Sequence, residues 1–403
     1  MNTVDLRAKL GDDRYERLLA RLKRLNRGIA EKGIISYQNF YDLLTGYSYK
    51  EFFDWDMYFE NIYMSYYGIA DYCRNNAEIF LETQLTNGHI SKTLNTRNMT
   101  AHFKPFLAQV CLLGSRQTGN YEWLREKYYI RLQKYIDCWF WFNDYDKNGL
   151  PVWNSADHTG MDNHTPRAGK LDAFEIEGVD LASYLYRELI AMSLLAERLG
   201  KTEDAEGYRA HAEKLAGLIN DTFWDEEAGF YFDRNERTGE RVRIKTIAGF
   251  MPLWAGVAPK DRADRLIREH LLNEEEFWLP YPVATWAKNE PYYYQERVEI
   301  EANWRGPCWA NTNYMMMHAL VKYGYEKEAE ELALKGLDMA LNEPETREFY
   351  NSETGIGMGL NPFRGWSSLL YIMPLEYWLG YDPTDLTAEV RPIVTENCQL
   401  SFY

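Results

Sequence analysis

An all-α toroid built from six helical hairpins, in one domain spanning residues 1–403, is the fold class this sequence predicts. Helical periodicity dominates the chain, in about twelve stretches. The connectors alternate in character: some are short and polar, such as Gly200-Lys201-Thr202-Glu203, and others are long and aromatic. No Pro/Gly/Ser-rich linker or block of like charge divides the chain. Helices joined by short turns at one end and long loops at the other close into a ring. The long loops then share one face, and a site is expected there.

The helical stretches are expected near 12–32, 56–74, 76–86, 102–117, 121–142, 180–199, 203–221, 246–256, 259–272, 307–323, 326–341 and 366–379. From Tyr208 the positions Ala212, Leu215, Leu218 and Ile219 form one apolar face. Ala329, Leu332, Ala333, Gly336, Leu337 and Ala340 form another. In the stretch from Leu181 to Leu199, Asp180 suits the N-cap and Gly200 the position after the C-cap. The long connectors fall at 33–55, 143–179, 223–245, 276–306 and 342–365. Asp144-Tyr145-Asp146-Lys147-Asn148-Gly149 imitates the start of a calcium loop, but the Glu required at its twelfth position falls on Ser155. It reads as a turn.

Composition narrows the chemistry. Hydrophobic residues make up 46% of the chain, enough for one large core. Aromatics reach 15%, with 13 Trp, 31 Tyr and 18 Phe, which suits stacking on flat sugar faces as well as core filling. The net charge of −16 disfavours nucleic acid and anionic membrane surfaces as partners. Cys73, Cys111, Cys138, Cys308 and Cys398 are odd in number and lack a Cys-x-x-Cys pair, as expected of reduced thiols in a cytoplasmic protein. The N-terminus has no apolar signal core. His89, His102, His158, His164, His211, His270 and His318 have no metal-ligand spacing, so no metal and no cofactor are expected. Neither a Gly-x-Ser-x-Gly elbow nor a phosphate loop occurs. The partner expected is a small carbohydrate, with homo-oligomerisation left open.

Four aromatic–polar clusters sit in or beside the long connectors. The densest is Trp153 to Arg167, which holds two acids, two histidines and an arginine and fits no helical or strand period. The others are Phe52-Phe53-Asp54-Trp55-Asp56, Asn303-Trp304-Arg305-Gly306-Pro307-Cys308-Trp309, and Arg347-Glu348-Phe349-Tyr350-Asn351 running on to Gly365-Trp366-Ser367. Each has a plain alternative: a solvated connector, an N-capping Asp beside a core Trp, a structural Arg, a surface Glu. Together they supply what glycoside hydrolysis needs, two carboxyl groups flanking one bond with rings to hold a sugar. Asp162 and Glu348 are the pair chosen.

Gly160-Met161-Asp162-Asn163 with Pro166-Arg167, Trp304-Arg305-Gly306-Pro307-Cys308-Trp309, and Glu348-x-Tyr350-Asn351-x-x-Thr354-Gly355 resemble, in this order, motifs of glycoside hydrolase family 63. The similarity spans roughly residues 50 to 380 and is nearest to the family's short bacterial glycosyl-glycerate hydrolase branch. It implies an (α/α)6 barrel and an inverting, exo-acting hydrolysis of an α-linked glucoside: a disaccharide, small oligosaccharide or glycosyl-glycerate. Asp162 would be the general acid and Glu348 the general base. Trp55, Asp56, Trp304, Arg305, Gly306 and Trp309 would line the sugar site, with Gly160, Tyr350 and Trp366 completing it. Lys104, Arg167 and Arg364 are the cations the motifs bring near, of which Arg167 has a structural alternative and Lys104 a plain helix-start alternative. The family's usual pattern is broken by an extra residue at His164-Thr165, by Asn303, by Gly365-Trp366-Ser367-Ser368 and by Lys104-Pro105-Phe106. The changes at Asn303 and 365–368 fall on the leaving-group side of the pattern. Another sugar enzyme of the same barrel, trehalase-like or an epimerase, is the runner-up. A non-catalytic carbohydrate-binding protein would not need both carboxylates.

Overall fold

The computed structural model describes residues 5–32, 51–67, 70–96, 98–170, 173–296 and 303–390. Cys398 and most of the expected connector 33–55 lie outside them. Fifteen α-helices occur among the described residues. In chain order they are α1 (Leu6–Leu10), α2 (Asp12–Lys32), α3 (Asp54–Ser65), α4 (Ala70–Glu82), α5 (Leu107–Thr118) and α6 (Tyr128–Phe142). Then follow α7 (Ala156–Thr159), α8 (Thr165–Ala168), α9 (Val179–Arg198), α10 (Thr202–Thr222) and α11 (Met251–Ala255). The last are α12 (Lys260–Leu266), α13 (Ala310–Tyr323), α14 (Glu326–Asn342) and α15 (Met373–Leu379). A 3₁₀ turn, Trp366–Tyr371, leads into α15.

Six segments form a closed inner ring. Helix α3 packs on α5, α5 on α9, α9 on α11 and α11 on α13; α13 then packs on the 366–371 turn, which returns to α3. The outer helices α4, α10, α12 and α14 pack on α5, α9, α13 and α15 respectively, and α2 packs on α14. Burial follows from this placement. All twelve residues of α3 are buried, because an inner helix meets protein on every side. The outer α10 buries only Ala205, Ala212, Leu215 and Ile219, and α14 buries the stripe read from its sequence, Ala329 through Ala340. The expected toroid is present.

Connectors that run from an inner helix out to the next outer one are short, whereas those that run inward are long. Among the described residues, 83–106 joins the long connectors expected. They carry small strands that periodicity did not reveal. Strands β1 (Val152–Trp153), β2 (Ile176–Glu177), β5 (Asp233–Asn235) and β6 (Arg241–Val242) make one antiparallel sheet in the order β1-β2-β5-β6. It joins the loops 143–178 and 223–246. Strands β3 (Trp224–Asp225) and β4 (Phe230–Tyr231) form one hairpin, and β7 (Phe349–Tyr350) and β8 (Gly357–Met358) another.

Two expected caps resolve differently. Gly200 takes a left-handed φ of 73° after the end of α9, as expected. Asp180 is not the N-cap: Gly178 is, and Asp180 sits inside the first turn, where its carboxylate accepts from Trp153 Nε1 at 2.9 Å and Arg167 Nη2 at 2.6 Å. A buried arginine outcompetes capping for that carboxylate. The Asp144–Gly149 segment is a turn, closed by Gly149 N–H donating to Asp144 Oδ2 at 3.0 Å. No helix among the described residues is long and apolar enough to cross a membrane.

Candidate active site

The long loops surround an open-mouthed cavity. Its lining takes Trp55 and Asp56 from α3, Gly160 and Asp162 after α7, Trp304 and Trp309 before α13, and Glu348 and Trp366 from the last loop. Lys104 also lines it. Nine of the expected site residues therefore meet in one place.

The aromatic wall is continuous. Trp304 stacks on Trp309 with centroids 3.7 Å apart, and Trp309 stacks on Phe349 at 4.6 Å. Trp55 lies 5.7 Å from Trp304 and 5.6 Å from Trp366. Gly160 is required here: its φ is +85°, and a Cβ would stand 2.4 Å from the Trp55 ring. The glycine lets the Asp162 loop lie flat on that indole.

Ser155 caps the single turn of α7, accepting from His158 N–H, and Gly160 ends it in a left-handed conformation. Asp162 follows in the turn before α8. Asn163 ties this loop to the tryptophan loop: its Oδ1 accepts from Trp304 N–H at 2.8 Å and its Nδ2 donates to Asn303 Oδ1 at 3.0 Å. His164 Nε2 donates to Trp304 O at 2.6 Å. Two of the sequence departures, at 164 and 303, are thus partners in one buried seam. Neither reaches the cavity lining.

The acids differ in setting. Asp162 presents surface to the cavity while protein crowds its other sides. That desolvation raises its pKa to about 7, the Asp157 carboxylate adding to it and Lys92 and Lys104 opposing. Asp56 is pushed well above the usual carboxylate range by burial, then by Glu60 and Asp54. Glu348 opens the β7–β8 hairpin, where its Oε2 accepts from Leu360 N–H at 2.9 Å. Its carbonyl accepts from Ser367 Oγ at 3.3 Å.

Five expected residues lie outside the lining. Arg167 is fully buried, donating to Asp180 Oδ1 at 2.6 Å and pairing with Asp233. It braces α8 against α9 and β5. Arg305 Nε donates to Asn163 O at 2.6 Å, from behind the wall. Gly306 holds φ +147°, where a Cβ would stand 2.5 Å from Tyr294 O. Tyr350 faces inward from β7, its hydroxyl accepting from Arg347 N–H at 3.1 Å. Arg364 pairs with Glu345 at 3.4 Å, away from the cavity. Arg167, Arg305, Gly306 and Tyr350 belong to the motifs and contact other parts of the protein behind the lining, whereas Arg364 falls in the region that departs from the family pattern.

Four lining residues were not selected from the sequence: Phe53, Lys92, Asp157 and Phe363. Phe53 and Asp157 sit within stretches already singled out, and Phe363 lies in an expected long loop. Lys92 lies in the connector 83–106, between the stretches expected as helices at 76–86 and 102–117, a segment not counted among the long connectors. Elsewhere, His89, His102 and Cys138 bring ligand atoms within 4.8 Å of one another. Their histidines are already used: His102 Nε2 donates to Tyr135 O, its Nδ1 meets the Ile90 amide, and His89 Nε2 donates to Asn98 O, each at 3.1 Å. Both histidines are thus held by backbone partners, as buried core histidines are.

The chain matches the model of the mannosylglycerate hydrolase MGH1-like glycoside hydrolase domain over residues 49–367. It is 30% identical over 207 residues to mannosylglycerate hydrolase of Rubrobacter radiotolerans, covering 50% of this chain and 45% of that one. The mannosylglycerate hydrolase of Thermus thermophilus is 36% identical over 189 residues, 46% of this chain and 41% of that one. The matched segments span less than half the length of both relatives. Among solved structures, the GH63 mannosylglycerate hydrolase from Thermus thermophilus in complex with glucose superposes with a TM-score of 0.71 at 20% identity, covering 89% of this chain and 99% of that one. Neutral trehalase Nth1 from Saccharomyces cerevisiae reaches 0.66 at 18% identity, over 84% and 73%. These likenesses carry the fold, an (α/α)6 toroid. With most of its length under that family model, the chain belongs to the MGH1-like glycoside hydrolases of family 63.

Proposed function

We propose that this glycoside hydrolase cleaves an α-linked glycosyl bond with inversion, Asp162 protonating the leaving oxygen and Glu348 activating water. One observation carries the reading most. Asp162 opens into the cavity with its pKa raised to about 7, so that it holds a proton near neutrality, and Glu348 lines the same cavity. The tryptophan wall takes the sugar ring, and exo action is carried over from the family resemblance. Cytoplasmic placement belongs to the same proposal, supported by the burial of all four described cysteines.

For the leaving group, glycosyl-glycerate is the first reading. The family model and both mannosylglycerate hydrolases support it, and Lys92 and Lys104 bring positive charge to the cavity. A neutral α-linked disaccharide is the second, favoured by a specific observation: Lys92 is already paired with Asp157, and Lys104 with Asp54 at 2.9 Å. A panel of α-mannosyl- and α-glucosyl-glycerate with α-linked disaccharides, followed by NMR, tests both readings. The first-formed sugar should be the β-anomer. Asp162→Asn and Glu348→Gln should each lower turnover by about 10²–10⁴-fold with native circular dichroism. Near-wild-type turnover in either variant removes that residue from its role, and an α-anomer formed first excludes inversion.

A further inference from the structure

The Lys92–Asp157 pair has no place in the motifs that mark the family, yet both side chains line the cavity beside Asp162. Lys92 Nζ donates to Asp157 Oδ2 and lies 3.3 Å from Asp157 O. That same carbonyl accepts from Gly160 N–H at 3.2 Å, the bond that ends α7. The ammonium therefore grips both the carboxylate and the backbone of the turn that leads into Asp162. Its own backbone is fixed from the opposite wall. Lys92 N–H donates to Ala101 O at 3.1 Å, and Lys92 O accepts from Asp54 N–H at 3.0 Å, at the start of α3. The Lys92 side chain is only 10% accessible and that of Asp157 44%, so the lysine is a buried anchor and the aspartate opens to the cavity.

A general acid beside an uncompensated ammonium loses its proton too easily, because the positive charge favours the carboxylate form. Here two ammonium groups, Lys92 and Lys104, act on Asp162 in that direction. Lys104 is neutralised by Asp54. Lys92 is neutralised by Asp157, and Asp157 is also the nearer negative charge along the chain. The remaining acids of the cavity are Glu348, from the β7 hairpin, and Asp56, from α3.

We propose that Asp157, clamped by Lys92, is the positioning residue that keeps the proton on Asp162 and thereby sets the alkaline edge of activity. This rests on the reading of Asp162 as the acid. Protonation of the leaving oxygen moves one proton from Asp162 to that oxygen as the glycosidic bond breaks. Water attacks the anomeric carbon and gives its own proton to Glu348, so Asp162 must recapture a proton from solvent before the next turnover. Burial supplies the larger part of that proton affinity, and the neighbouring carboxylate adds to it, so recapture stays favourable to a higher working pH. The half-open position of Asp157 lets water reach it, so the effect is partly screened.

The test is the pH dependence of kcat/KM for wild type, Asp157→Asn and Lys92→Met, on the most active substrate of the panel above and on the matching α-glycosyl fluoride. Fluoride leaves without protonation, so that substrate isolates the acid. On the natural linkage, Asp157→Asn should move the alkaline limb to lower pH, and Lys92→Met should move it to higher pH, each by about 0.5–1 unit. Both displacements should shrink in 0.5 M salt, roughly by half. On the fluoride the limb and both displacements should vanish. A merely structural pair would lower kcat in both variants without moving the limb. An unmoved limb, or displacement in the same direction in both folded variants, overturns the proposal. Asparagine keeps the oxygen that Lys92 grips, so Asp157→Asn alone decides if Lys92→Met fails to fold. Asp162→Asn separates the two levels: if it retains fluoride turnover, the acid assignment stands and an unmoved limb sinks only the role of Asp157. If it loses fluoride turnover as fully as the natural reaction, the acid assignment falls and takes this inference with it.

Discussion

At the scale of single residues, Asp162 sits in a setting that matches the role proposed for it. It must hold a proton to act, and its surroundings make the charged form costly. Rate should therefore fall as pH rises through about 7, where Asp162 ionises. Stability has the same sign. A carboxyl whose folded pKa lies above its ordinary 3.8 favours the folded state below that value, and the contribution is lost as pH rises through about 7. Asp162→Asn should therefore melt with wild type at pH 4 and above it at pH 8.5, by about 2 °C after discounting for its contact with solvent. Differential scanning at the two pH values checks this, and equal melting at both would mean that Asp162 is not destabilised when charged. Gly160→Ala belongs to the same scale. The new methyl collides with Trp55, so the variant should lose about 1–3 kcal/mol of stability and raise KM, read by denaturant titration and by kinetics.

At the scale of elements, the short helices α7 and α8 are too small to be stable by themselves and borrow their order from side chains. Arg167 supplies part of it for α8, through Asp180 on α9 and Asp233 on β5, and Arg305 adds a bond to Thr165 Oγ1 at 2.8 Å. Removing it leaves two buried carboxylates without their cation, a loss of about 3–5 kcal/mol. Arg167→Met should therefore unfold at much lower denaturant, while the protein that remains folded keeps a near-native KM. A KM raised tenfold in well-folded Arg167→Met would instead make this arginine a substrate contact. The expected role for Arg167 as substrate cation was reasonable from its motif, because a sequence does not show which side of a loop an arginine faces.

At the scale of the whole molecule, the inner ring closes between its first and last members, α3 and the 366–371 turn. Opening any one contact exposes both neighbours, so a single cooperative thermal transition is expected, and two resolved calorimetric peaks would refute the one-domain reading. The net charge of −16 acts at this scale too. If the leaving group is glycerate, long-range repulsion opposes binding, and kcat/KM should rise roughly twofold or more between 10 and 150 mM salt. A neutral disaccharide should show no such trend. Measuring the salt dependence on both substrates separates the two readings independently of any variant.

The architecture was legible in the sequence to a large extent. Helical periodicity survives in outer helices such as α10 and α14, where one side faces water, and the alternation of short and long connectors follows from a ring with all inward crossings at one end. The motifs located Asp162, Glu348 and the tryptophans because those residues lie in compact local patterns. Tertiary structure alone decided the rest. Whether Arg167 and Arg364 meet substrate or protein carboxylates depends on loop paths, which bring Arg167 to Asp233, remote in sequence, and Arg364 to Glu345. Lys92 reaches the cavity only because its connector is pinned between Ala101 and Asp54, and no local period or motif encodes such a crossing. Proton affinity is likewise a property of assembled surroundings: the Asp162 carboxyl is ordinary in the chain and becomes a proton holder only when α3, α7 and the tryptophan loop close around it.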